Sequence, residues 1–103
     1  MVYVNRIELQ GKIGAIRVQE VQDMLVANFS LATEFVHKCN IVETSWHNIV
    51  AWESSMLFDP CLLKKGDKVR VVGRLRTSKY TSANGEDKMF YEVVASLVTT
   101  VKE

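Results

Sequence analysis

Short stretches rich in β-branched residues recur along the chain with turn signals between them and almost no helical period, and this confines it to a mostly β fold. Residues 2–12 set Ile7 and Leu9 against Arg6, Glu8 and Gln10, then meet Gly11 and Gly14, where a bend or bulge is cheap. Residues 25–33 set Ala27, Phe29 and Leu31 against Asn28, Ser30 and Ala32, so both stretches read as half-buried strands. A third strand is expected over residues 44–52. In the fourth, residues 68–80, Val69, Val71 and Leu75 share one face with Gly73, and Arg70, Arg74 and Arg76 share the other with Val72. Its core face is apolar and its outer face cationic. The loop at residues 82–87 carries the turn signal Asn84-Gly85, and residues 88–98 return as a fifth strand.

Between the third and fourth strands, residues 53–66 are the one stretch with helical character. Lys64 and Lys65 complement a C-terminal dipole there, and Gly66 suits a left-handed cap. Pro60 interrupts this helix, and Asp59 caps a second helical turn that begins at Pro60. Five strands with one short helix between strands 3 and 4 predict an all-β fold, the five-stranded Greek-key barrel known as the OB-fold. The 103 residues, 48% hydrophobic, read as a single domain over residues 1–103, too small for an enzyme with a deep interdomain cleft. No repeat, low-complexity tract or linker interrupts it.

The formal charge is only +1, yet it is unevenly spread. Lys64, Lys65, Lys68, Arg70, Arg74, Arg76 and Lys79 face one acid, Asp67, across residues 64–80, whereas residues 20–60 hold Lys38 against six acids. Such polarity steers an anionic partner to one side, although solvated surface charge is the plainer explanation. Just before the cationic strand lie Trp46 and Trp52, on positions of equal parity and, at about 3.3 Å per residue, roughly 20 Å apart. Flat rings beside fixed positive charge suit a nucleic-acid strand with unpaired bases. Parity alone leaves core packing open, because Thr44, Asn48 and Val50 lie with the tryptophans while Ser45, His47, Ile49 and Ala51 lie opposite, and neither face is clean.

Other chemistries find little support. His37, Cys39, His47 and Cys61 do not make a metal site: His37-Lys-Cys39 lacks a usual ligand spacing, and Cys61 sits beside Leu62 and Leu63 as a small hydrophobe would. No Gly-rich phosphate cradle, nucleophile elbow or convincing carboxylate pair is present, Glu86 and Asp87 being neighbours in a turn. The expectation is a binding protein without cofactor or metal, not an enzyme. Without a signal peptide, long apolar segment or spaced cysteine framework, the expected compartment is the cytosol, with no membrane association.

Six pieces occur in the order and spacing of the bacterial single-stranded DNA-binding protein family, which the chain resembles over nearly its whole length. They are Asn5-Arg-Ile with Gly11-Lys-Ile-Gly14, Val26-Ala-Asn-Phe-Ser-Leu-Ala-Thr33, Thr44-Ser-Trp-His47, Leu63-Lys-Lys-Gly66, Gly73-Arg-Leu-Arg-Thr-Ser-Lys-Tyr80, and Asn84-Gly85 leading to Tyr91-Glu-Val-Val94. The resemblance implies base stacking on Trp46, on Trp52 where the family usually has phenylalanine, and on Tyr80 where it usually has tryptophan. A fourth family ring falls nearest His37, with Phe35 close by. Phosphate contacts are expected from Arg74, Arg76 and Lys79, which alternate toward or flank Tyr80, and from Arg70 and Lys68; Lys64 and Lys65 are assigned to the helix end. The resemblance also implies homo-oligomerisation, as dimer or tetramer, through the first strand at Ile7, Glu8, Leu9 and Gln10, with Glu8 and Gln10 where the family is usually apolar. It places His47 near a subunit contact.

The function expected on these grounds is sequence-tolerant binding and protection of single-stranded DNA in replication, recombination or repair, in the cytoplasm on the nucleoid. An alternative is an OB-fold adaptor of a replication-restart complex, related to the protein PriB, in which a protein partner matters more than DNA. The acidic tail with which the family recruits other replication and repair proteins has no counterpart after Thr99-Thr-Val-Lys-Glu103, so tail-mediated recruitment is not expected.

Overall fold

The computed structural model describes residues 3–56 and 59–101. Five strands, β1 (Ile7–Val21), β2 (Met24–Val36), β3 (Val42–Trp52), β4 (Lys68–Thr81) and β5 (Asp87–Thr100), close into a barrel in the order β1-β2-β3-β5-β4. All neighbours are antiparallel except β3 and β5, whose short parallel contact through Ile49–Val93 and Val50–Val94 closes the ring. β1 serves two partners: residues 7–12 pair with β4 and residues 12–21 with β2. A strand of this length can turn that corner because it runs through both glycines and bulges between Ile13 and Ile16. The Ser30 hydroxyl accepts a hydrogen bond from the Ala15 N–H at that bulge (2.9 Å). The bend or bulge expected at Gly11 and Gly14 is thus present, and the first strand, expected over residues 2–12, is corrected to Ile7–Val21 because it continues through that bend.

In β2 and β4 the alternation predicted the core, with Ala27, Phe29, Leu31, Val69 and Val71 all buried inside the barrel; Ile49 and Ala51 of β3, whose face the pattern left open, and Val93 and Val98 of β5 join them there. At roughly 1.5–3 kcal/mol for each large aliphatic side chain removed from water, this cluster is the main favourable term in folding. Met56 and Leu63, from the β3–β4 connection, join the same cluster.

That connection is not the expected helix. It contains two single turns of 3-10 helix, Glu53–Ser55 and Pro60–Leu62; residues 57 and 58 lie outside the described set. The second turn begins as expected, with Pro60 at its first position and the Asp59 carboxylate accepting from the Cys61 N–H at 2.9 Å. Pro60 lacks the N–H that a continuous helix would need, so the two turns stay separate. Lys64 and Lys65 consequently lie just past the single turn that ends at Leu62, not in the last turn of a longer helix. Gly66 is left-handed (φ +92°), but in the tight turn where the Asp67 N–H donates to the Lys64 carbonyl on the way into β4.

Two hairpins outgrow the barrel. β2 and β3 stay paired out to Val36–Val42, past the last β1 partner at Ala32, and β4 and β5 stay paired out to Thr81–Asp87. Leu75, expected on the core face, has the right parity but is 40% exposed, because it stands at the rim where the barrel gives way to the β4–β5 arm. There the Asn5 side chain takes the place of a strand: its Nδ2 donates to the Leu75 carbonyl (2.8 Å) and its Oδ1 accepts from the Leu75 N–H (2.9 Å). Among the described residues no helix is long and apolar enough to cross a membrane.

Candidate nucleic-acid interface

Strand parity fixes the outer face. With Ile49 and Ala51 inside, Trp46, Asn48, Val50 and Trp52 of β3 must point outward, and their β2 partners Ala32, Ser30, Asn28 and Val26 point the same way. This removes both tryptophans from the core. Trp46 is 63% exposed, whereas Trp52, opposite buried Val26 at the base of the hairpin, is half-buried. On the other arm Tyr80 (49% exposed) and Phe90 (36% exposed) share the outer face, their ring centroids 5.8 Å apart at 57°. Along β4 and β5 the same face carries Arg74 opposite Val94 and Arg76 opposite Glu92. Trp46, Trp52, Tyr80, Arg74 and Arg76 are thus brought onto one surface.

The indole of Trp46 leans across β2 onto the β1 bulge. A Cβ added to Gly14 would stand 2.5 Å from Trp46 Cζ3 and 2.7 Å from Ser30 Oγ. Gly14→Ala therefore displaces a side chain, not the backbone. The expected result is an intact fold with shifted tryptophan emission and a binding loss of several-fold, checked by fluorescence and melting temperature of the same sample. Unchanged emission and affinity would show that the indole does not depend on that glycine.

Between the two aromatic groups lies an open groove of about 470 Å³, lined by Arg17 of β1, Asn28 and Ser30 of β2, Asn48 of β3, and Phe90 and Glu92 of β5. Glu92 is only 9% exposed, and its Oε1 accepts from Arg76 Nε (2.9 Å) and Nη2 (2.5 Å). A carboxylate this far from bulk water needs its cation, so Arg76 is positioned by Glu92 at the groove wall. Arg70 is held similarly, by Glu8 Oε1 at 2.8 and 2.5 Å, with Arg6 3.9 Å from the other oxygen. Arg74 and Lys79 have no such partner among the described residues. Lys68, half-buried at the start of β4, borders a separate depression with Gln10, Lys12 and Glu34.

Other expected site residues sit elsewhere. Phe35 has the parity of the core face, so on the β2–β3 arm it lies opposite to Trp46, and it meets His37 edge-on at 4.9 Å. His37 Nε2 is 3.7 Å from Glu43 Oε1. His47, on the core side of β3, shares a 2.8 Å hydrogen bond with Thr33 Oγ1. Among the described residues no group of three or more His, Cys, Asp or Glu is arranged to hold a metal ion. The exposed Cys61 thiol is pushed above its ordinary pKa by local desolvation first and then by Asp59, whose charge and hydrogen bond both disfavour the thiolate. It is correspondingly a poor nucleophile and metal ligand near neutral pH.

Phe90, Asn28, Asn48 and Glu92 were not singled out from the sequence. Phe90 depends on hairpin register. The Asn84-Gly85 loop spans residues 83–85, closed by hydrogen bonds from the Gly85 N–H to the Ser82 carbonyl and from the Ser82 N–H to the Glu86 carbonyl, with Gly85 at φ +80°. This pairs Ser78 with Phe90 and puts the ring on the face of Tyr80. A two-residue Asn-Gly loop would slip the register by one and turn it away.

Comparison with known proteins agrees with this geometry. Residues 4–101 match the model of the Single-strand binding protein family. The single-stranded DNA-binding protein of Neisseria meningitidis serogroup A is 32% identical over 101 residues, covering 90% of this chain and 57% of that protein. Single-stranded DNA-binding protein 1 of Chlorobaculum tepidum is 36% identical over 102 residues, covering 90% and 62%. The chain thus spans about 57–62% of the length of these curated relatives. A solved complex of Plasmodium falciparum SSB with ssDNA superposes with a TM-score of 0.77 at 27% identity, over 99% of this chain and 98% of that one. Five-stranded barrel, ordered motifs and a family match over nearly every residue lead to one conclusion: the chain belongs to the single-strand binding protein family.

Proposed function

We propose that this chain binds single-stranded DNA without regard to sequence and shields it during replication, recombination or repair, in the cytoplasm on the nucleoid. The observation that carries the reading is the gathering of Trp46, Trp52 and Tyr80 on one outer face with the Arg74–Arg76 side of β4. Every base offers a π-face, so rings serve a protein that must ignore sequence. The structural neighbour from Plasmodium falciparum was solved with single-stranded DNA, which supports the same use of this barrel. The family match favours this reading over the replication-restart adaptor. No catalytic step is involved.

Phosphate neutralisation releases counterions, so binding weakens with salt at about 0.7 log units per phosphate for each log unit of salt on a single strand. With three or four contacts per subunit the expected slope is about −2 to −3. Arg74, on the face of the rings, acts first; Lys79, on the opposite side of the β4–β5 arm from Tyr80, and Lys68, at the start of β4, add contacts for a strand that wraps the arm, and Arg70 and Arg76 act only so far as a phosphate displaces Glu8 or Glu92. Anisotropy of labelled oligothymidylate over a salt series tests this. Arg74→Ala and Lys79→Ala each flatten the slope by about 0.7, and Glu92→Gln steepens it by up to that amount because Arg76 is released. A slope near zero for the unaltered protein would reject the proposal.

Phe35 and His37 offer a further pair of rings on the opposite side of the β2–β3 arm, reachable by a strand that wraps its edge. Homo-oligomerisation, to dimer or tetramer, is proposed through Ile7, Glu8, Leu9 and Gln10, with His47 nearby. Residues 7–11 of β1 pair with β4 along one edge, and among the described residues no strand covers the other. Such an edge suits pairing with a second copy. Solution mass at two or four times that of the chain is the expected result; a monomer at every concentration would overturn it.

A further inference from the structure

The groove between the two aromatic groups contains more than the three rings use. Phe90 forms one end of it, its ring half-exposed and tilted against Tyr80. On the β2–β3 side, Asn28 and Asn48 line the same groove, both exposed. Neither side-chain amide makes a hydrogen bond among the described residues, although Ser30 beside them is engaged at the β1 bulge. A flat apolar ring, and exposed amide donors and acceptors without a protein partner, form the two halves of a site for a flat ring with a polar rim.

We propose that Phe90, Asn28 and Asn48 form an additional nucleobase subsite, in which one unpaired base stacks on Phe90 and directs its polar edge toward the two amides. The inference deepens the proposed single-strand binding and rests on it. The site does not select a base. An amide carries a donor and an acceptor and can turn to present either, and the Phe90 ring takes the π-face of any base. The buried Glu92 carboxylate, held by the exposed Arg76, forms the neighbouring wall, so the base edge meets a fixed polar group there. A strand running from Trp46 toward Tyr80 across this groove then keeps a base in contact where the two arms diverge.

The test uses oligothymidylate and an abasic deoxyribose-phosphate oligomer of equal length, titrated against the unaltered protein, Phe90→Leu, Phe90→Trp, and the double variant Asn28→Ala/Asn48→Ala. Phe90→Leu should weaken oligothymidylate binding about 10-fold, and Phe90→Trp should retain or strengthen it. Abasic binding should not change in either, since a ring without a base above it contributes nothing. The double asparagine variant, on exposed positions away from the core, should lose several-fold on oligothymidylate and nothing on the abasic chain. In a Tyr80→Ala background the Phe90→Leu loss should persist; its disappearance would reduce Phe90 to a prop for Tyr80 and overturn the subsite. Equal affinity of all variants for oligothymidylate would also overturn it while leaving single-strand binding intact. Failure of the unaltered protein to bind either oligomer would instead overturn the proposed function itself.

Discussion

Alanine at Trp46, Trp52 and Tyr80 together lowers affinity for oligothymidylate by at least about 100-fold, and each single replacement by about 5-fold or more. Base stacking on an aromatic ring contributes roughly 1–3 kcal/mol per base, and 1.4 kcal/mol is a factor of about ten, so three independent rings supply this comfortably. The three losses should differ in their effect on folding. Trp46 and Tyr80 are 63% and 49% exposed, so their removal leaves the barrel untouched and the melting temperature within a few degrees. Trp52 is half-buried against the hairpin base, so its replacement removes packing and also costs about 1–3 kcal/mol of stability. Oligothymidylate titration beside thermal melting separates the two effects. Three unfolded variants would return these rings to the core.

The second large effect is on stability alone. Gly73→Ala should cost about 3 kcal/mol or more, lowering the melting temperature by more than about 10 °C, because the new methyl group meets backbone. A Cβ there would lie 2.2 Å from the Val94 carbonyl oxygen and 2.9 Å from the Ala95 Cα, on the strand paired with it. At this point the β4–β5 ladder is already irregular. Val72 pairs with Leu97 and Gly73 with Ala95, so Ser96 is left over, and its hydroxyl bonds to the Val72 carbonyl at 3.0 Å. Relief would require opening the hairpin that carries Tyr80 and Phe90. Gly14→Ala is the matched control, since there the obstructing atoms belong to the Trp46 and Ser30 side chains and can move. Equal melting temperatures for the two variants would contradict this account of the bulge.

How far the sequence predicted this molecule depended on the range of each interaction. Alternation within one strand was enough to place Ala27, Phe29, Leu31, Val69 and Val71 inside, and Asp59-Pro60 was enough to start a turn. Alternation could not reveal where a strand leaves the barrel: Leu75 continues the pattern of Val69 and Val71 but stands at the rim, where no third strand backs it among the described residues. For the tryptophans, parity gave a shared face, and only the identity of the β2 partner strand decided that the face was outward. Cross-strand information was the most hidden. Arg76 and Glu92 are 16 residues apart and Arg70 and Glu8 are 62 apart, so a row of arginines that reads as open positive charge has two of its members already neutralised. Phe90 stayed hidden for the same reason, since a one-residue change in the loop at Gly85 reverses its face.

The outer face between the arms is the proposed resting place of unpaired bases, and the two tryptophans make that directly measurable. Each indole N–H gives its own ¹H–¹⁵N resonance, and the chain has only two tryptophans. On addition of oligothymidylate both indole resonances should shift or broaden to saturation at the same stoichiometry, while a blunt duplex of equal length, with its bases already stacked, should leave them in place. Saturating single-strand binding with both indole resonances unmoved would contradict the account, because the polynucleotide would then be held somewhere else on the barrel.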